Sequence, residues 1–283
     1  MDQAKKSKKI GIMGLGMVGG ALARYFEDQG YVMGQDLFGY DPGKGENDLD
    51  RLNAEAEVIF IAVPTPYNVD PKSGAIGHDL SYVRDALSKL TGSKTVVIKS
   101  TVLPGTTDEM ARAFPEHQLL FNPEFLTEAT ADADMRHPER QILGYTTEGS
   151  RRAAKDVMAL LPLAPFERVM PAKAAEMVKY FNNTWYATKV VFANQIYDLC
   201  QKIGVDYDAV KEAAAAAKWV GGTMHLEIFH KGYRGYGGKC LPKDARALIQ
   251  LGREVGAPME LLETVENINS RLTADAKNDR AAS

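Results

Sequence analysis

Cys240 lies in a glycine-rich stretch of the chain, and its surroundings favour covalent chemistry. Residues 232–244 read GYRGYGGKCLPKD, and a helical pattern is predicted from 243 to 251. Glycines at this density let a backbone pass close to a ligand. A thiol near a helix N-terminus with lysines close by is expected to be a good nucleophile, because both stabilise the thiolate. A structural cysteine would fit a more apolar neighbourhood. The segment is also not a Walker A loop, since its glycine spacing differs and Cys240 stands where Ser or Thr would bind magnesium.

Lys179 and Asn183 are a second candidate for catalytic chemistry. They lie in a long helical pattern that begins near Pro171. Residues four apart share a helix face, so an ammonium and an amide could polarise one substrate oxygen. The alternative is an ordinary solvated face. The same pattern carries an apolar stripe, interpreted as core or dimer packing: Val178, Phe181, Trp185, Phe192, Ile196, Leu199 and Ile203. Cys200, in the same helix, is interpreted as a small buried hydrophobe.

The other glycine-rich loop is near the start of the chain and predicts a dinucleotide site. A short apolar strand over 9–13 leads into Gly14-Leu15-Gly16-Met17-Val18-Gly19, and a helix is predicted from 20 to about 29. In this context Gly14 permits a tight turn, Gly16 lets a pyrophosphate approach the backbone, and Gly19 allows close helix–strand packing. The helix N-terminus favours the anion.

Asp41 follows the next apolar run and lies 22 residues after Gly19. A carboxylate at the tip of the second strand can accept hydrogen bonds from both ribose hydroxyls, which favours NAD over NADP. The alternative is that 41–43 is only a turn, since Asp, Pro and Gly are all turn residues. Lys44 points the other way, because its charge could neutralise the 2′-phosphate of NADP.

The elements that must position these residues alternate between strand and helix. Apolar runs at 58–63, 95–98 and 141–144 suit inner strands of a parallel sheet, with helical patterns at about 79–90 and 106–113. Such alternation predicts an α/β fold with a doubly wound sheet, in which ligands bind at the carboxyl ends of the strands. Those ends carry polar residues, two of the three segments with prolines, at 64–66, 100–101 and 122–124. Each segment alone could be an ordinary turn, but three in succession favour a binding site.

Composition bounds the remaining possibilities. The 283 residues suggest two domains, and 45% hydrophobic with 25% charged residues is typical of globular proteins. A net charge of −3 is too balanced for a nucleic-acid-binding protein. No run of about 18 apolar residues is present to span a membrane. Two cysteines form neither a disulfide scaffold nor a paired zinc signature, so we expect no metal and a reducing compartment, the cytoplasm.

Taken together, the motifs resemble those of the UDP-glucose/GDP-mannose dehydrogenase family, the nucleotide-sugar 6-dehydrogenases. The resemblance extends from Gly14 to about Arg271. Beyond the glycine loop it rests on VPTP at 63–66, STVLPGT at 100–106, NPEFL at 122–126 with Glu128, Lys179 with Asn183, and GGKCLPKD at 237–244. It implies a Rossmann-type NAD domain over 1–170, a helical central domain over 171–271 that carries the cysteine loop, and a polar tail over 272–283. It also implies a homodimer through the central helix and a place in polysaccharide biosynthesis.

The resemblance further implies a two-step oxidation of a UDP- or GDP-hexose at C6 by NAD, through a thiohemiacetal and a thioester on Cys240. Lys179 and Asn183 would stabilise the oxyanion, Asp244 would orient water or assist proton transfer, and Glu124 would act as general base with Thr101 beside it. The implied cofactor contacts are Gly14, Gly16, Met17, Val18, Gly19, Asp41, Val63, Pro64, Thr65, Thr101, Glu128 and Lys243. The implied substrate contacts are Phe125, Leu126, Lys179, Asn183, Phe229, Tyr233 and Gly237.

Three departures from the family pattern are visible. The link between Asp41 and Val58 is short, 222–226 lacks an arginine that some relatives direct at the substrate, and relatives usually continue past this chain's last residue into a second Rossmann-like domain. Two other interpretations therefore stay open. One is a 3-hydroxyacid dehydrogenase of the 6-phosphogluconate type, whose single oxidation needs no thiol. The other is a non-catalytic module that binds NAD or a nucleotide sugar.

Overall fold

The computed structural model describes residues 8–69, 76–229, 232–238 and 240–281. The chain divides into two compact units, Met1–Lys179 and Tyr180–Ser283. Within the described part of the chain, none of the helices combines the length and apolar character that a membrane span requires.

A seven-stranded sheet forms the centre of the first unit. In chain order the described strands, including two that lie outside this sheet, are β1 (Ile10–Met13), β2 (Leu37–Tyr40), β3 (Val58–Ile61), β4 (Tyr67–Val69), β5 (Ile76–His78), β6 (Thr95–Ile98), β7 (Gln118–Phe121), β8 (Arg140–Tyr145) and β9 (Phe166–Pro171). The sheet order is β2-β1-β3-β6-β7-β8-β9, while β4 and β5 form a separate antiparallel pair. Every pair in the large sheet is parallel except β7 with β8.

Seven helices accompany the described strands: α1 (Met17–Asp28), α2 (Leu49–Glu55), α3 (Ser81–Ser88), α4 (Thr106–Ala113), α5 (Ala131–Arg136), α6 (Glu148–Leu160) and α7 (Ala172–Ile203), of which α7 continues into the second unit. Side chains alternate between the two faces of each strand. Accordingly, Val58 and Phe60 of β3 pack in one apolar cluster with α1 and α6. Ile59 and Ile61 pack in another with α2, α3, α4 and the first turns of α7. Burial on both faces explains why these strands are almost entirely apolar.

The expected doubly wound α/β fold is confirmed, with one correction to a strand. The run at 141–144, predicted to be an inner strand of a parallel sheet, belongs to β8, which runs antiparallel to β7. An apolar run has the same pattern in either direction, so periodicity does not indicate polarity. β9 was not predicted because five of its six residues are exposed and it carries two charged residues within an apolar background.

The second unit is helical. It contains the rest of α7, then α8 (Tyr207–Ala215), α9 (Leu241–Glu254) and α10 (Glu260–Ala281). Cys200 of α7 is buried beside Tyr207, Leu226 and Ile228, as the sequence predicts. The Tyr207 hydroxyl donates to the Leu226 carbonyl at 2.7 Å, which ties α8 to the segment after it.

The polar tail expected over 272–283 is helical as far as residue 281, because α10 runs through it. Its alanine, lysine and aspartate residues tolerate a helix, and Leu272 is buried. Polarity alone therefore did not predict that this segment is helical.

Candidate functional site

The first glycine loop connects β1 to α1 and is packed as tightly as the dinucleotide motif requires. Gly14 has φ of +87°, and a Cβ there would lie 2.7 Å from the Ala62 carbonyl oxygen. A Cβ on Gly19 would lie 1.8 Å from the Gly14 oxygen, so only glycine fits. A Cβ on Gly16 would meet nothing within 4 Å. Because α1 begins at Met17, directly after Gly16, this open space lies at a helix N-terminus, which fits a pyrophosphate.

Asp41 lies at the end of β2 and contacts this loop directly. Its Oδ2 accepts a hydrogen bond from the Leu15 N–H at 2.7 Å. The Lys44 ammonium donates to the Leu15 carbonyl at 2.6 Å, so both polar groups of Leu15 are held. The structure therefore places the carboxylate beside the loop, where a ribose contact was predicted, while that contact itself stays a prediction.

The carboxyl ends of β3 and β6 are joined by hydrogen bonds from side chains to the backbone. The Thr65 hydroxyl donates to the Thr101 carbonyl at 2.7 Å, and the Ser100 hydroxyl donates to the Val63 carbonyl at 2.7 Å. These bonds bring segments 63–65 and 100–101 together at one edge of the sheet, with Pro64 exposed between Val63 and Thr65.

Glu124 and Lys179 form a buried ion pair in the first unit. The Lys179 Nζ lies 2.8 Å from Glu124 Oε1, and the two side chains are 6% and 8% exposed. The other carboxylate oxygen accepts from the Leu126 N–H at 2.9 Å. Burial acts to raise the pKa of Glu124, but the charge and hydrogen bond of Lys179 outweigh it and lower that pKa. Glu124 is therefore held ionised, as a base must be before it accepts a proton. Phe125, next to it, packs against Arg140, whose guanidinium lies 4.0 Å from the ring centroid.

Lys99 is a residue of this region that sequence reasoning missed. It ends the apolar run of β6, is almost fully buried, and donates to Asn122 Oδ1 at 2.5 Å. Burial lowers its pKa to about 8, against the opposing effect of Glu124. Asn122 in turn donates to the Ile142 carbonyl at 2.7 Å. The signal that could have revealed Lys99 is a lysine directly after a strand that is otherwise buried.

Glu176 was also missed, and it too is fully buried. Its carboxylate accepts from the Gly105 N–H at 2.5 Å, the Thr107 N–H at 2.8 Å and the Thr107 hydroxyl at 2.6 Å. Burial raises its pKa to about 7, with the charge of Asp108 acting in the same direction and the hydrogen bonds opposing. Its position three residues before Lys179 was the available signal, since i and i+3 share a helix face.

In the second unit, Cys240 is the residue directly before the first turn of α9. Its side chain is exposed, and Leu241 and Pro242 form the start of the helix. Asp244, one turn later, is only 1% exposed. Asn183 Nδ2 donates to Asp244 Oδ2 at 2.5 Å, and Lys243 Nζ lies 3.0 Å from Asp244 Oδ1. The structure thus brings Asn183, Asp244 and Lys243 together one turn from Cys240. Lys239 lies outside the described residues.

The second glycine loop is fixed by α10. Asn269 accepts from the Tyr236 N–H at 2.7 Å and donates to the Tyr236 carbonyl at 2.9 Å. The Tyr236 hydroxyl donates to Glu266 at 2.7 Å. Tyr233 lies over Gly237, where a Cβ would come within 2.7 Å of the tyrosine oxygen. The conformation of the loop is therefore fixed by hydrogen bonds to α10, and a glycine is required where Tyr233 packs on residue 237.

Arg234 anchors the same loop to α7. Its Nε donates to Asn194 Oδ1 at 3.0 Å, and its Nη2 lies 2.7 Å from Asp198 Oδ1. These contacts of Arg234 were not predicted, because its partners in α7 are about 40 residues away in the sequence.

Two predicted contacts lie at the surface. Glu128 is exposed in the segment that precedes α5, and Phe229 is exposed with its ring edge-on to Tyr197 at a centroid distance of 6.0 Å. Their proposed ligand contacts stay predictions. Among the residues that the structure describes, no group of three or more His, Cys, Asp or Glu side chains could hold a metal ion.

Comparison with known families agrees with this arrangement. Residues 43–161 match the NAD binding domain of the UDP-glucose/GDP-mannose dehydrogenase family, and residues 173–271 match its central domain. The chain belongs to this family. NAD is accordingly the cofactor of its first domain.

Individual relatives show the same relationship. The chain is 35% identical over 240 residues to the UDP-glucose 6-dehydrogenase of Rhizobium meliloti. The matched region covers 79% of this chain and 52% of the relative. The chain is 33% identical over 241 residues to the UDP-glucose 6-dehydrogenase YwqF of Bacillus subtilis, covering 81% and 52%. The solved UDP-glucose dehydrogenase from Pyrobaculum islandicum superposes with a TM-score of 0.79 at 29% identity, covering 96% of this chain and 70% of that one. The chain spans about half the length of the curated relatives it matches.

Proposed function

We propose that this chain carries the catalytic residues for NAD-dependent oxidation of a nucleotide-sugar C6 alcohol to the carboxylate. The observation that carries the proposal is an exposed Cys240 at the start of α9, one turn before a buried Asp244 that binds Asn183. A single alcohol oxidation needs no thiol, whereas oxidation beyond an aldehyde needs a covalent adduct that can lose a second hydride. Family membership and the names of the relatives support the same reaction.

In the first oxidation the C6 alcohol loses a proton and a hydride and becomes an aldehyde. Bound NAD+ would supply the electron acceptor for both oxidations. Lys179 would stabilise the negative charge that develops on the C6 oxygen, because its ammonium is already desolvated beside Glu124. Asn183, whose Nδ2 is held by Asp244, would donate to the same oxygen with its remaining N–H.

In the second oxidation the Cys240 thiolate attacks the aldehyde carbon, and the oxygen takes a proton to give a thiohemiacetal. Loss of a hydride and a proton from that adduct gives a thioester. Because α9 begins at Leu241, its N-terminal N–H groups would favour the thiolate form of Cys240. Asp244, buried one turn later, would assist proton transfer near the sulfur.

Hydrolysis then breaks the carbon–sulfur bond. A water adds to the thioester carbonyl, the thiol leaves, and the acid is released. Glu124 would take the proton from that water, since Lys179 keeps it ionised. Thr101 would lie beside this base, at the end of β6 where Thr65 binds its carbonyl.

The remaining residues are proposed to bind either NAD or the sugar nucleotide. The pyrophosphate of NAD would be held by the first glycine loop, with Gly14, Gly16, Met17, Val18 and Gly19. Asp41 would bind the ribose. Other parts of NAD would contact segment 63–65, Glu128 and Lys243. Phe125, Leu126, Phe229, Tyr233 and Gly237 would contact the UDP- or GDP-hexose. Such an acid product would serve polysaccharide biosynthesis in the cytoplasm.

A homodimer through α7 is part of the proposal. Most of the predicted apolar stripe is exposed in the described structure: Phe181, Trp185, Phe192, Leu199 and Ile203. Exposed apolar side chains at steps of four and seven on one helix are typical of a face that packs against another helix. Light scattering on the purified chain tests this: a dimer mass is expected, and a Trp185→Glu variant should be a monomer.

The reaction is tested by mixing the chain with NAD+ and a panel of UDP- and GDP-sugars and following absorbance of the reduced cofactor. Two reduced cofactors per sugar are expected. One per sugar would favour a single-oxidation dehydrogenase, and none with ligand still bound would favour a binding module.

The matched variants are Cys240→Ala and Cys200→Ala. Cys240→Ala is expected to lower acid formation by more than about a thousandfold, because no covalent adduct can form. NAD+ affinity should stay within about twofold. Cys200→Ala, which removes the buried cysteine of α7, should keep the stoichiometry of two. Unchanged acid production by Cys240→Ala would overturn the mechanism.

A further inference from the structure

Glu176 ties α7 to the N-terminus of α4 without being one of the groups given a chemical role above. Its carboxylate is fully buried and receives three hydrogen bonds, two from backbone N–H groups of residues 105 and 107 and one from the Thr107 hydroxyl. The N–H groups at a helix start have no partner within the helix, so a buried start must be satisfied from outside. Here that acceptor comes from a helix 69 residues further along the chain.

The loop that Glu176 holds is the connection between β6 and α4. At its other end, Ser100 donates to the Val63 carbonyl, and the Thr101 carbonyl accepts from Thr65. Gly105 ends the loop with φ of +101°, a conformation that L side chains rarely adopt. The loop is therefore fixed to the segment after β3 through Ser100 and the Thr101 carbonyl, and to α7 through residues 105 and 107. Thr101 belongs to the first attachment, and Glu176 makes the second.

Lys179 projects from the next turn of α7 and pairs with Glu124 after the end of β7. Consecutive turns of one helix thus bind the segments after two neighbouring strands. From this geometry we propose that Glu176 is a positioning residue, which sets the loop carrying Thr101 relative to the Glu124–Lys179 pair. The proposal rests on the proposed function, because Thr101, Glu124 and Lys179 have their roles in that reaction.

A carboxylate is the side chain that suits this task. Both oxygens accept, one from Gly105 and the other from both donors of Thr107. In Glu176→Gln one oxygen is replaced by an NH2 group, which cannot accept and would face a donor. Glu176→Asp keeps both acceptors but withdraws them by one methylene. Both variants are expected to release part of the loop while leaving the strands of the sheet intact.

The experiment compares these two variants with Thr147→Ala at pH 8. Thr147 caps α6 of the same unit by accepting from the Ser150 N–H at 3.1 Å, so its loss is a matched removal of a helix cap away from the loop. Amide hydrogen exchange of a peptide covering 100–110, the dissociation constant of NAD+, and kcat and KM with UDP-glucose are measured for each protein.

For both Glu176 variants, exchange in 100–110 is expected to be at least tenfold faster and kcat about tenfold lower, with KM for UDP-glucose within threefold. Thr147→Ala should change neither exchange in 100–110 nor kcat, whatever its effect on the unfolding midpoint. Unchanged exchange, or a kcat within twofold of wild type, would overturn the positioning role.

Failure of the proposed function gives a different result. If the wild-type chain reduces no NAD+ with any sugar, the proposed reaction fails. The role of Glu176 is then decided by exchange and by NAD+ affinity: faster exchange with affinity at least threefold weaker supports it, and no change in either quantity rejects it.

Discussion

In the first unit, Glu124 and Lys179 meet as an ion pair with almost no access to water, whereas in the second unit the Cys240 thiol is exposed one turn before a buried Asp244. The residues of the ion pair are 55 positions apart in the sequence, while Cys240 and Asp244 share one helical turn. The difference separates two needs of a covalent mechanism. Groups that stabilise charge gain strength from a dry, preorganised surrounding, whereas a nucleophile must be reached by its substrate.

Breaking the buried pair is the strongest test of this contrast. Lys179→Met is expected to lower the free energy of unfolding by about 3–5 kcal/mol, because it leaves the Glu124 charge buried without its partner. It should also abolish NAD+ reduction. Urea unfolding measures the stability change. Arg24→Ala, which removes an exposed pair with Asp132, is the control and should cost at most about 1 kcal/mol. Equal losses in the two variants would show that burial of the pair is unimportant.

The pH dependence of stability tests the other buried carboxylate of the first unit. The pKa of Glu176 is raised by burial from 4.5 to about 7, so between those values the folded state binds more protons than the unfolded state. The free energy of unfolding therefore falls as the pH rises through this range, by roughly 3 kcal/mol from this group alone. Glu176→Gln lacks this titration. The stability difference, wild type minus Glu176→Gln, should fall between pH 4.5 and pH 8, and a constant or rising difference would contradict the assignment.

The second unit should be less sensitive to loss of its buried carboxylate. Asp244→Ala leaves the Asn183 amide without its acceptor, which is expected to cost about 1–3 kcal/mol of unfolding free energy. Asp244→Asn retains an oxygen for that bond and should recover most of the stability without recovering acid formation. The pair of variants is compared by urea unfolding and by the yield of acid. Full activity in Asp244→Asn would remove the charge of Asp244 from the mechanism.

The smallest effect on stability is expected in the cofactor loop. A Cβ on Gly16 enters open space, and Gly16 is the N-cap of α1, where alanine is less favourable than glycine, so Gly16→Ala should lower the free energy of unfolding by at most about 1 kcal/mol. It should still weaken NAD+ binding about tenfold, because the added methyl occupies the space predicted for the pyrophosphate. Calorimetry measures the affinity. Gly19→Ala is the contrast, since its Cβ would overlap the Gly14 oxygen and destabilise the fold itself.

The parts of the molecule that could be predicted from sequence are those whose causes are local. The β1–α1 glycine loop, the inner strands, the start of α7 and the helix after Cys240 all follow from patterns within a few residues. The antiparallel direction of β8 was not predictable in this way, because its apolar run reads alike in both directions.

Residues whose contacts are distant in the sequence could not be predicted either, because their own type and spacing do not indicate their partners. Lys99 and Glu176 look like ordinary charged residues until the fold buries them against Asn122 and the start of α4. Asp244 differs, since the resemblance identified it although its contact with Asn183 spans 61 residues. Motif similarity can therefore identify a residue whose long-range contact neither motif nor periodicity predicts.

The bonds between α10 and the second glycine loop have a practical consequence for protein engineering. Tyr236 is held at its N–H and carbonyl by Asn269 and at its hydroxyl by Glu266, so the loop depends on residues some thirty positions downstream. A truncation before residue 266 would retain every residue of the cysteine loop and still remove all three attachments. Fusion or shortening at this end of the molecule should therefore keep the chain intact through Asn269.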